Sequence, residues 1–76
     1  MRLEDVKEGE LFHYARTGHG YSTDKVFLRG KYNPRDIDQI RCYQDIVNRR
    51  NSVLLWEGHE VVVIGRVYNK HITRRK

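Results

Sequence analysis

The run EVVVIGRVY, residues 60–68, restricts this chain more than any other stretch. Val61 to Ile64 are four consecutive β-branched residues, poor material for a helix and excellent material for a strand. A strand over 61–68 needs partners for its backbone groups, so the remaining residues must supply a sheet.

Candidates are easy to find. In LEDVKEGELFHY, Gly9 precedes an aromatic-rich run, which suits a turn feeding a strand at 10–15. KVFLRGKY, residues 25–32, reads as a second strand, with Val26, Leu28 and Tyr32 on one face and Arg29 and Lys31 on the other. Gly30 inside it suggests a bulge or a close backbone approach. SVLLWE, 52–57, reads as a buried strand, and GHE turns from it into the last run. NRRN, 48–51, is a turn, and RTGHGYSTD, 16–24, is a loop long enough to be a candidate functional loop.

Residues 33–48, NPRDIDQIRCYQDIVN, admit two readings. Asn33 as N-cap, Pro34 at the first helical position, and Ile37, Ile40 and Val47 near helical spacing support a short helix around 34–46. Ile40, Cys42 and Ile46 alternating with Arg41, Tyr43 and Asp45 support a strand, taken here as 39–47 after a turn at 34–38.

Five short strands in about 60 residues point to one mainly β domain over 1–68, a small antiparallel barrel, followed by a basic tail at 69–76. The pattern Val6-Lys7-x-Gly9-x-x-Phe12, then IRCYQDI, then EVVVI resembles small SH3-like β-barrel proteins encoded by bacteriophages. The likeness covers roughly residues 3–65 and rests mostly on core and turn residues. It implies a five-stranded SH3-like barrel, a binding role and a host-factor partner. The NPRDID stretch departs from the tightest form of the pattern and leaves the helix option open.

Composition narrows function. No apolar run approaches the roughly 20 residues of a membrane helix, and no signal-like stretch follows the charged start. The lone Cys42 cannot form an internal disulfide, so the expectation is a cytoplasmic protein, in host cytoplasm if phage-encoded. Cys42 falls on the apolar side of its alternation, which argues against a nucleophile. His13, His19, His59 and His71 have no metal-ligand spacing, and TGHGYSTDK lacks the Gly-x4-Gly-Lys-Ser/Thr order of a phosphate loop. The expectation is therefore a protein that is not an enzyme, with no catalytic or metal residues and no cofactor.

Binding remains. The aromatics exceed what so small a core buries whole, and surface Tyr and Trp serve protein hot spots or base stacking. The candidate binding residues are Tyr21, Arg29, Lys31, Tyr32, Tyr43, Arg49, Arg50, Trp56, Arg74 and Arg75. Net charge is +5, yet residues 1–65 hold ten Lys/Arg against ten Asp/Glu, so the whole excess lies in residues 66–76. A neutral body favours a protein-interaction module; single-stranded nucleic acid is the alternative, through the basic turn and tail. A homodimer is compatible with both, and the tail is expected to fray.

Overall fold

β-branched and aromatic residues build six strands. In a computed structural model these are β1 (Glu10–Tyr14), β2 (Phe27–Tyr32), β3 (Gln39–Asp45), β4 (Arg50–Trp56), β5 (Val61–Tyr68) and β6 (His71–Arg74). The structure describes residues 1–18, 22–68 and 71–74, without the side chains of 68 and 71–74. All six strands join one antiparallel sheet in the order β4-β3-β2-β1-β5-β6. The protein is mainly β; among the described residues a single 3-10 turn, Leu3–Asp5, is the helical element. No helix among them is long and apolar enough to cross a membrane.

The five expected strands form close to their expected bounds, the strand taken for 39–47 among them. The buried strand expected at 52–57 is instead half-buried to exposed, because only Val53 and Leu55 turn toward the core. The helix around 34–46 is absent, because the turn at 33–38 releases the chain into β3 and the alternation of Ile40 and Cys42 with Arg41 and Tyr43 governs. The sheet is not closed into a barrel: β4 and β6 are its two ends. The tail, expected to fray, contributes β6, whose backbone pairs with β5 from Gly65↔Arg74 to Tyr68↔His71.

The main core cluster packs on one face of the sheet, and Leu11 and Leu28, paired across β1 and β2, are buried outside it. Phe12 stacks on Phe27 at 5.6 Å between ring centroids, and Tyr14 meets Phe27 edge-on at the same separation. Ile40, Cys42 and Val61 fill the space around them, with Val53, Leu55 and Val63 at the margin. Leu3 and Val6 complete this cluster from outside the sheet. Their segment is strapped to the β4–β5 connection by Leu3 N–H donating to His59 O (2.8 Å), Glu4 N–H to Glu57 O (2.9 Å) and Val61 N–H to Met1 O (2.7 Å). The N-terminal arm thus covers an apolar surface that one sheet alone leaves open.

Two glycines shape the frame. Gly9 takes φ 90°, the left-handed region that side-chain-bearing residues avoid, and this turn delivers Glu10 into β1. Gly30 lies within a bulge. Arg29 pairs with Cys42 and Tyr32 with Ile40, so β2 advances three residues while β3 advances two. A Cβ on Gly30 would come within 2.6 Å of Arg41 O and 2.8 Å of Tyr43 Cε2.

The pairing corrects the face assignment for β2: Arg29 lies opposite core-side Cys42, and the bulge then carries Tyr32 to the same side. Phe27 and Leu28 are both buried, and Arg29 is half-buried rather than solvent-facing. Gly30→Ala must push Tyr43 or the β3 backbone aside. It should destabilise the fold by about 1–3 kcal/mol, read by urea denaturation. Wild-type stability in this variant would show that the close approach is absent.

Candidate functional site

The β3–β4 hairpin sets the geometry. Its register pairs Ile40 with Leu55 and Cys42 with Val53, all toward the core, so Gln39, Arg41 and Tyr43 face away from it opposite Trp56, Leu54 and Ser52. The tight turn at 46–49 is held by Asp45, whose carboxylate accepts from Asn48 N–H (3.1 Å) and Asn48 Nδ2 (3.3 Å). Those two bonds hold the Asp45 pKa below the usual aspartate value. Arg49 and Asn51 follow at φ 53° and 55°.

At this end of the hairpin a depression of about 300 Å³ opens between β2 and β3. Glu8, Gly30, Lys31, Tyr32, Pro34, Arg41, Tyr43 and Arg49 line it. The Tyr43 ring lies over Gly30 because residue 30 has no side chain to exclude it. Arg41 donates from one terminal nitrogen to Ser52 Oγ at 3.0 Å, which braces it across the strands. Three cations and two tyrosines share the hollow with one acid, Glu8.

Arg29 and Tyr32 form the neighbouring rim. The Arg29 guanidinium sits 5.2 Å from the Tyr32 ring centre and donates to Gly30 O. Its Nε is buried with no hydrogen-bond partner. Partial desolvation, then the charge of Glu57, raises the Tyr32 phenol pKa, with Arg29 acting in the opposite direction.

The other end of the hairpin is apolar and acidic. Trp56 is 52% exposed, Leu54 39% and Ile37 84%. Glu57 N–H donates to Asp38 O at 2.9 Å, which brings the 33–38 turn beside the end of β4. Trp56 meets His59 edge-on at 5.7 Å, and His59 meets Tyr14 at 5.3 Å, so an aromatic series runs from the core to this surface. Burial lowers the His59 pKa. A hydrogen bond to Glu4, then desolvation and the charges of Glu4 and Asp38, raise the Glu57 pKa.

Of the residues expected from sequence, Lys31, Tyr32, Tyr43 and Arg49 come together in the depression. Arg29 adjoins them through Tyr32, and Arg50 follows Arg49 as an exposed residue opposite Asp45. Trp56 stands at the far end of the hairpin. Tyr21 and Arg75 lie outside the described residues, and for Arg74 only its backbone place on β6 is described. Arg41 and Glu8 were not among the expected binding residues, although the Ile40-Arg41-Cys42-Tyr43 alternation already put Arg41 on the face of Tyr43.

Chemistry by Cys42 has no support here. The thiol is fully buried, and burial pushes its pKa up to about 12, far from a thiolate at neutral pH. Among the described residues, no group of three or more His, Cys, Asp or Glu is placed to hold a metal ion. No family model matches the chain, and no curated protein or solved structure does either.

The Glu4–Glu57 pair yields a pH prediction with a fixed sign. A carboxyl raised above its unfolded pKa stabilises the fold at low pH, and that contribution is lost as pH rises through the folded value. Glu57→Gln keeps a hydrogen-bonding side chain and removes the repulsion. It should raise the urea midpoint at neutral pH, with the gain shrinking as pH falls through the raised folded value and gone below the ordinary glutamate value of 4.5. A gain of equal size at both pH values would mean that the two carboxyls do not interact.

Proposed function

We propose that this chain is a small, non-enzymatic protein-binding module that docks a partner protein on the Ile37–Leu54–Trp56 end of the β3–β4 hairpin. The observation that carries this reading is the exposure of Trp56 beside Leu54 and Ile37, in a chain with few apolar residues to spare for its core. A large indole held at the surface of a marginal domain is the usual anchor of an interface. Asp38, Glu57 and Glu4 surround this end, so the partner presents an apolar side chain flanked by Lys or Arg.

The likeness to phage-encoded SH3-like barrels extends the reading. β5 returns to lie beside β1, the connection that curls a sheet toward closure, and the N-terminal arm covers the core at the open side. On that likeness the partner is a host protein met in the cytoplasm. A second copy of the chain in its place is distinguished by sedimentation of the purified protein.

Trp56 is the chain's one tryptophan, so its emission reports directly on the surface. Immobilised wild type should retain a protein from nuclease-treated bacterial lysate, and that protein, once purified, should shift Trp56 emission to the blue on titration. Trp56→Ala with an unchanged circular dichroism spectrum should bind it about tenfold or more weakly. Equal retention by the variant, or no retention by wild type, would overturn the proposal.

A further inference from the structure

A neutral body argues against nucleic acid only if its charges are evenly mixed, and here three cations gather around one hollow. Glu4, Asp38 and Glu57 act on one another at the Trp56 end. Lys31, Arg41 and Arg49 line the depression with Glu8 as its one lining acid, while Glu4, Asp5 and Glu57 act from outside on its Tyr32 wall. Asp45, close by, has its carboxylate engaged by Asn48. Locally the hollow is cationic although the body sums to zero.

Shape adds to charge. The hollow holds about 300 Å³, the lower end of the range for small-ligand sites and adequate for one nucleotide unit. Tyr43 is fixed over Gly30 and Arg41 is braced by Ser52, so both are preorganised. Tyr32 and Pro34 supply a second ring and an apolar wall. Aromatic rings interleaved with basic side chains are what single strands require, a base stacking on the ring while cations track the phosphates. An acidic peptide would use the cations and leave the ring and apolar wall without a role.

We infer that the depression bounded by Lys31, Arg41, Tyr43 and Arg49 binds single-stranded nucleic acid, one base packing on Tyr43 and the flanking phosphates meeting the three cations. The site adjoins the Trp56 end, Arg41 pairing with Leu54 across the hairpin, but uses other side chains and does not rest on the protein-binding reading. The basic residues 69–76 are not needed for it.

The test uses the full chain and fluorescence anisotropy with short labelled single-stranded RNA and DNA, a duplex of the same sequence, inorganic phosphate and polyglutamate. Single strands should bind at low salt with a log–log salt slope of about −2 for three phosphates, more tightly than the duplex. Lys31→Gln combined with Arg49→Asn removes two exposed cations, and Asn tolerates the positive φ at 49. This pair should reduce the slope by about 1.4 units. Tyr43→Leu should weaken binding and leave the slope unchanged, and Trp56→Ala should change neither. Three outcomes would overturn the site: no binding of single strands at low salt, an unchanged slope in the double variant, or displacement by phosphate or polyglutamate as readily as by unlabelled strand.

Discussion

Residue 30 has no side chain, and the Tyr43 ring and the Arg41 carbonyl occupy the space a Cβ would need. That close approach accompanies the extra residue in β2, and the extra residue decides where the neighbouring side chains go. Arg29 and Tyr32 align with core-side Cys42 and Ile40, although three steps along a regular strand would put them on opposite faces. The guanidinium of Arg29 is thereby drawn against Tyr32, and Tyr43 becomes part of the lining of a hollow instead of a freely rotating surface ring. The candidate nucleic-acid site therefore depends on the absence of one methyl group.

The two proposed surfaces follow from one hairpin. Alternation along β3 and β4 sends Ile40, Cys42, Val53 and Leu55 inward and leaves Arg41, Tyr43, Leu54 and Trp56 outward. The turn at 46–49 adds Arg49 to one end, and the 33–38 turn adds Ile37 and Asp38 to the other. One end is basic and aromatic, the other apolar and acidic. A 76-residue chain has little core to spare, and strapping Leu3 and Val6 over it releases the outer face of β3–β4 for binding.

Much of the fold is legible before any coordinates. Val61–Ile64 can hardly be other than strand, Gly9 marks the turn into β1, and Gly30 signals a bulge. The burial of Cys42 follows from its place between Ile40 and Ile46. What escapes has a physical reason in each case. Leu3 and Val6 join the core because their segment, at Met1, Leu3 and Glu4, bonds to backbone more than fifty positions away, and local patterning carries no trace of such pairing. HITR is too polar and short to read as a strand, and its ladder to β5 fixes it. Arg29 reads as solvent-facing because Leu28 is taken to mark the one buried face, whereas Phe27 and Leu28 are both buried and Arg29 lies opposite Cys42. Charge counting yields a neutral body, since a sum holds no positions, and the gathering of Lys31, Arg41 and Arg49 around one hollow emerges only in three dimensions.

The bulge at Gly30 supports the architecture of the depression, and its register can be observed directly in solution. Cross-strand nuclear Overhauser effects between β2 and β3 should connect Arg29 with Cys42 and Tyr32 with Ile40. If instead Arg29 meets Cys42 while Lys31 meets Ile40, the register is unbroken and Tyr32 moves to the opposite face. The arrangement of Arg29, Tyr32 and Tyr43 described above would then be wrong.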